Sequence, residues 1–221
     1  MQLIRRLVLA LATAATAVRV AGRIAILEKN NKPSPDLSDA VLYLEAPATV
    51  ATAGKAATVE IAITDKTYAP HVVVVPVGST VRFPNHDPFD HNVFSVSEPN
   101  SFDLGLYGRG EAKSYTFANP GLVRVYCNVH PRMVAYVLVM ANRYYAQPAS
   151  DGSFVIDNVP AGRYRLHVWH ERIPSEVVQE VAAGPGEAEL QIALDARGYK
   201  WRPHRNKYGR NYPTNEGLER Y

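Results

Sequence analysis

The chain has 221 residues, 47% of them hydrophobic and 20% charged, enough for one or two globular domains with apolar cores. Its 24 Lys and Arg stand against 21 Asp and Glu, and without Arg5 and Arg6 the balance is 22 against 21, or +1, so overall charge implies neither a nucleic-acid nor a membrane partner. A single cysteine, Cys127, excludes an internal disulfide.

Residues 1–17 differ from the rest. Arg5 and Arg6 precede an apolar run from Leu7 to Leu11 that continues through small residues to Ala15-Thr16-Ala17. This order of charged, hydrophobic and small-residue regions is that of a secretory signal peptide, with cleavage expected after Ala17 and export across the inner membrane to the periplasm. The apolar run is far shorter than the roughly 20 residues that span a bilayer, so no transmembrane anchor is expected after cleavage. Exported chains normally pair their cysteines, and a lone thiol in an oxidising compartment is best explained by a metal that holds it.

After the signal, residues 20–27 read as a strand, 29–35 as a turn and 40–44 as a second strand. A small, polar linker follows at 51–58, preceded by Pro47 and containing Gly54. From Val59 the sequence is dense in β-branched residues broken by turns at about eight- to twelve-residue intervals, the pattern of an all-β sandwich. Strands are expected at 71–75 and 80–83, with His91 just past a loop and a glycine-rich connection at Gly105, Gly108 and Gly110. From Leu122 to Cys127, period-two alternation puts Val123, Val125 and Cys127 on one face and points Cys127 inward. Residues 136–140 form the strand that closes the unit.

Between those last two strands lies Cys127-Asn128-Val129-His130-Pro131-Arg132-Met133, which offers a thiolate, an imidazole and a thioether in three-residue steps. His91 is the best-placed fourth donor. Two imidazoles and a thiolate with a weak axial thioether make up a blue-copper electron-transfer set. Zinc, the main competing metal, also accepts Cys and His, but methionine is absent from its usual ligands.

The His91-Asn92 pair and the Cys-x-x-His-x-x-Met loop resemble the cupredoxins, with the short ligand loop of amicyanin rather than the longer one of plastocyanin. The resemblance implies a Greek-key β-sandwich over residues 59–141 and one type 1 copper held by His91, Cys127, His130 and Met133. It further implies that Asn92 hydrogen-bonds across to the ligand loop and that His130 lies near the surface as the electron port. Pro88, Phe89 and Pro131 would form an apolar docking rim for a redox protein partner. His86, in Pro84-Asn85-His86-Asp87, has no ligand role in that pattern and is expected to be solvated; His71, His167, His170 and His204 are assigned structural or surface roles.

The Gly-x-Phe strand at Gly152-Ser153-Phe154 and the Pro-x-Gly-x-Tyr turn at Pro160-Ala161-Gly162-Arg163-Tyr164 resemble the carboxypeptidase regulatory-like β-sandwich. Residues 18–50 fit the opening strands of that family. The expected fold is therefore all-β, with the cupredoxin unit inserted into a second small β-sandwich made of 18–50 and 142–195; two domains in tandem are the alternative. Residues 196–221 form a basic tail rich in Tyr and Asn that cannot build its own core, and either wraps the domains or stays mobile. The pairing of the two domains also resembles bacterial proteins of the methylamine-utilisation-like type. No nucleophile elbow, phosphate loop or dinucleotide fingerprint occurs, so catalysis is not indicated. The expected function is a periplasmic carrier of single electrons; the alternative is a non-catalytic envelope binding or scaffold module whose copper is structural or stored.

Overall fold

A computed structural model describes residues 17–47 and 53–212. The chain is all-β: apart from one 3-10 turn at Lys29–Asn31, its regular elements among the described residues are strands. Residues 1–16 of the expected signal and 51–52 of the expected linker lie outside the described residues; Ala17 opens the first strand, opposite Pro160.

That first strand, Ala17–Glu28, turns Val20, Ile24 and Ile26 inward and Arg23 and Ala25 outward, as period-two alternation requires. It runs antiparallel to Ser153–Pro160 and parallel to Leu190–Asp195. A Cβ on Gly22 would collide with the Leu190 carbonyl, so the close approach of the last strand needs glycine there. A second sheet places Val41–Glu45 between Tyr145–Ala146 and Gly162–Trp169, with Val177–Ala183 outermost. The two sheets share a core that includes Ile26, Leu42, Leu44, Phe154, Ile156, Leu166 and Leu194. Strands from both ends of the chain thus pair around everything between them, with Leu44 directly opposite Leu166.

The intervening residues build a second pair of sheets. One runs Phe102–Tyr107, His91–Ser95, Gly121–Cys127, Val134–Met140, Val72–Pro76; the other runs Ala112–Thr116, Thr80–Pro84, Thr58–Glu60. Neighbours distant in sequence, such as Val72–Pro76 parallel to Val134–Met140, give the order a Greek-key character. Ile61, Ile63, Val81, Phe83, Phe117, Val125, Ala135 and Val137 fill the core between them. Gly105 sits inside the strand Phe102–Tyr107 rather than in a loose connection: the register slips between Asp103 and Leu106, and Gly105 takes a positive φ of 69° at the bulge.

A third cluster joins the two units. Val41, Val72, Leu138, Met140 and Trp169 pack together, so Val134–Met140 is covered on both faces, which explains its nearly unbroken apolar run.

Candidate metal centre

Cys127 is the last residue of Gly121–Cys127, and His91 is the first of the neighbouring strand, where Cys127 faces Val93 in register. The chain then turns through residues 128–133 and returns as Val134–Met140. This short loop is closed by its own backbone: the Met133 N–H donates to the His130 carbonyl at 3.2 Å and the Asn128 N–H to the Asn92 carbonyl at 2.8 Å. A tight connection between paired strands brings donors three residues apart in sequence to one place in space.

Cys127 Sγ lies 3.5 Å from His91 Nδ1 and 3.6 Å from His130 Nδ1. The three donor atoms lie within 4.8 Å of one another, and all three residues are buried. A metal in a trigonal plane, bonded at about 2.0 Å to nitrogen and about 2.3 Å to sulfur, separates such donors by about 3.7 Å. The donor spacing therefore fits a metal ion. Met133 is 1% exposed and packs in the same core as Cys127. The Phe89 ring centroid lies 5.4 Å from that of His91 and 5.7 Å from that of His130, flanking both imidazoles. Pro88 is exposed, and Phe89 and Pro131 are half-buried.

Asp87, which the sequence pattern did not single out, orients His91. The hairpin turn between Ala62–Thr64 and Thr67–Ala69 has Asp65 and Lys66 at positive φ, 52° and 56°, as a two-residue hairpin loop demands. That conformation aims two amides at one carboxylate: Asp65 N–H at 2.6 Å and Lys66 N–H at 2.9 Å. Asp87 Oδ2 in turn lies 2.9 Å from His91 Nε2. Burial pushes the Asp87 carboxyl up, but the Lys66 amide, the His91 ring and the Asp65 amide together hold it below its ordinary range. An ionised Asp87 accepts the Nε2 proton and leaves the Nδ1 lone pair facing Cys127. Burial also drives His91 below the ordinary histidine range, against the pull of Asp87, so the ring favours its neutral, ligating form.

The thiol is less ready. Burial raises the Cys127 pKa, while backbone N–H groups of Asn92, Val129 and His130 oppose that rise; the Val129 amide is 3.4 Å from the sulfur. Those amides aim at the charge the thiolate would carry, and a cation would have to displace the thiol proton.

One expectation needs correction. The Asn92 side chain does not reach the ligand loop; its Nδ2 donates to Asp103 Oδ1 at 2.6 Å, and the Asn92 backbone makes the bridge to Asn128 instead. His130 is 6% exposed, with Phe89 on one side and the C-terminal residues on another. The tail does wrap: His204 Nε2 lies 3.3 Å from the His130 carbonyl, and the Tyr212 hydroxyl donates to the Cys127 carbonyl at 2.8 Å. His204, assigned a structural or surface role from sequence, belongs to the surroundings of the site; residues 213–221 lie outside the described residues. His86 is exposed as expected. His71 lies 3.1 Å from Glu171, beside the end of the loop at Arg132 and Met133, and His167 lies between Glu45 and Glu176.

Solved cupredoxin structures are similar to this chain. A Cu-containing nitrite reductase from Thermus scotoductus SA-01 is 30% identical over 37% of this chain and 22% of its own, with a TM-score of 0.36. A reduced amicyanin variant is 28% identical over 38% of this chain and 82% of its own, with a TM-score of 0.35. A purple cupredoxin from Nitrosopumilus maritimus is 21% identical over 53% of this chain and 99% of its own, with a TM-score of 0.32. This chain therefore spans less than a quarter of the nitrite reductase, and the likeness to the smaller proteins leaves about half of this chain or more unmatched. No protein-family model matches the chain, and no curated protein does.

Proposed function

We propose that this protein is a single-electron carrier built on one type 1 copper site, with His91, Cys127 and His130 as equatorial ligands and Met133 as the weak axial one. The observation that supports it is the buried thiol flanked by two imidazole Nδ1 atoms at 3.5 and 3.6 Å. Copper bound there would accept and release one electron, and a fixed donor set would limit rearrangement between the two oxidation states. The residues around it serve that constraint. Asp87 holds the His91 tautomer, the amides of Asn92 and Val129 face the sulfur, and Phe89 and Met133 exclude water.

The reading includes export to the periplasm by a signal at 1–17 and exchange with a redox protein docking near Pro88, Phe89 and Pro131. It also takes residues 59–141 as a unit inserted into a carboxypeptidase regulatory-like sandwich of residues 18–50 and 142–195. Antiparallel pairing of Val41–Glu45 with Gly162–Trp169 supports the insertion over a tandem arrangement.

The test is an optical and electron paramagnetic resonance spectrum of residues 18–221 after addition of Cu(II) and removal of the excess. The expected result is an intense orange-red absorption with narrow copper hyperfine splitting, lost in Cys127→Ser. Persistence of a strong band in that variant would refute the thiolate assignment, and failure to bind copper would refute the carrier.

A further inference from the structure

Residues 201–212 contain no strand and bury little of their own surface, yet they lie fixed against the Cys127–Met133 loop. The contacts follow the loop almost residue by residue. Tyr212 Oη donates to the Cys127 carbonyl at 2.8 Å, and the Lys207 N–H donates to Asn128 Oδ1 at 3.0 Å. His204 places Nε2 3.3 Å from the His130 carbonyl and donates its backbone N–H to the Pro131 carbonyl at 3.3 Å. Its ring stacks on Tyr126 at 4.3 Å between centroids and meets Tyr212 edge-on at 5.4 Å. A further link runs to the strand that carries His91: Asp103 accepts from Lys207 Nζ at 2.5 Å with one oxygen and from Asn92 Nδ2 at 2.6 Å with the other.

A six-residue turn between two strands has carbonyls that point outward and must be satisfied by water or by protein. Here the C-terminal segment supplies those partners. It satisfies the Cys127 and Pro131 carbonyls, from Tyr212 Oη and the His204 N–H, and sets the His204 ring against the His130 carbonyl, and so fixes the backbone from which the Cys127 and His130 side chains project. Loops held by side-chain and backbone donors of another segment open less often than loops that face water.

We propose that residues 201–212 form a strap that is part of the metal site, with Tyr212, His204 and Lys207 as positioning residues that hold the ligand loop in its binding shape before any metal arrives. The metal half of this proposal rests on the ligand assignment above; the statement about the loop itself does not.

The experiment uses the full mature chain and three variants: Tyr212→Phe, the double variant Tyr212→Phe/His204→Ala, and Val178→Ala as a control, because Val178 is 42% exposed on Val177–Ala183, the outermost strand of the other unit. Two readouts are taken. Amide hydrogen exchange on the metal-free protein should be about five- to tenfold faster at residues 126–133 in the first two variants, consistent with the loss of one or two hydrogen bonds, and unchanged in the control. In the Cu(II)-loaded protein, release to EDTA should accelerate by a similar factor, with a shifted sulfur-to-metal band. Wild-type exchange and wild-type metal release in the double variant would overturn the strap. If the wild type shows the blue band and neither readout moves, the strap falls and the copper reading stands. If no copper binds but loop exchange responds, the strap stands and the copper reading falls. Should the double variant fail to fold by circular dichroism, Tyr212→Phe, which removes one hydroxyl and keeps the ring, decides alone.

Discussion

Asp87 Oδ2 and His91 Nε2 lie 2.9 Å apart with side chains 5% and 0% exposed, so water cannot replace either partner. Removing the carboxylate in Asp87→Ala leaves a buried imidazole N–H unpaired and frees the tautomer. Copper affinity should fall about ten- to a hundredfold. Asp87→Asn, whose amide oxygen still accepts, should lose less. Chelator competition reads both, and wild-type affinity in Asp87→Ala would show that the hairpin amides and the carboxylate do not orient the ligand.

Met133 should act through its softness rather than its bulk. Met133→Gln is expected to retain copper and lower the reduction potential, because an oxygen or nitrogen donor favours the oxidised ion more than a thioether does. Voltammetry on the loaded protein checks it; an unchanged potential would remove Met133 from the ligand set.

The contact between His71 and Glu171 should make stability depend on pH. Burial works against the His71 imidazolium, but Glu171 and then Asp39 outweigh it and raise the pKa above its ordinary value, while His170 stands nearby. Glu171 is opposed by burial but lowered overall, chiefly by His71. A raised histidine pKa contributes stability that is full below about pH 6.5 and lost as pH rises through the raised value. A lowered carboxylate pKa contributes stability that is full above its ordinary range and lost in stronger acid. The melting-temperature gap between wild type and Glu171→Gln should therefore be widest between those limits and shrink toward alkaline pH. A gap independent of pH would contradict the pairing.

Trp169 sits where the two units meet, its ring 5.1 Å from that of Tyr136 and its neighbours Val41, Leu138 and Met140. In wild type, loss of the copper band and loss of far-ultraviolet dichroism should coincide on heating. Trp169→Ala should cost about 3 kcal/mol or more and separate the two transitions, since it empties the shared apolar contact. Coincident transitions in the variant would mean that the strand pairings alone keep the units coupled.

Much of the centre was legible because its information is local. Strand alternation gives the direction of Cys127, and a short loop between paired strands makes the spacing to His130 meaningful. The outer strands were legible for a similar reason: each end of the chain carries its own alternating apolar pattern. Asp87 carries no such local signal, because its importance depends on a hairpin turn more than twenty residues earlier. The strap was missed for a different reason. A polar, aromatic segment has no period to read, and the reading that it cannot build a core remains correct. It needs none, because its order comes from acceptors on the ligand loop. The partner of the Asn92 side chain has no local signal either, because it depends on the bulge at Gly105, which brings Asp103 into reach.

The parallel alignment of Ala17–Glu28 with Leu190–Asp195 sets an order on folding. Thr58–Met140 can pair within itself once its own strands exist, but beyond the short pairing of Leu27 and Glu28 with Pro33 and Lys32 the first strand has no partner until residues 153–160 and 190–195 have been made. Until then it is an apolar edge in search of a strand, open to pairing with other chains. The long loop it must close makes that step slow compared with the local hairpins. The early-folding part is the one that holds the thiol, so His91, Cys127 and His130 can come together before the ends of the protein have met, and residues 201–212 close over them last.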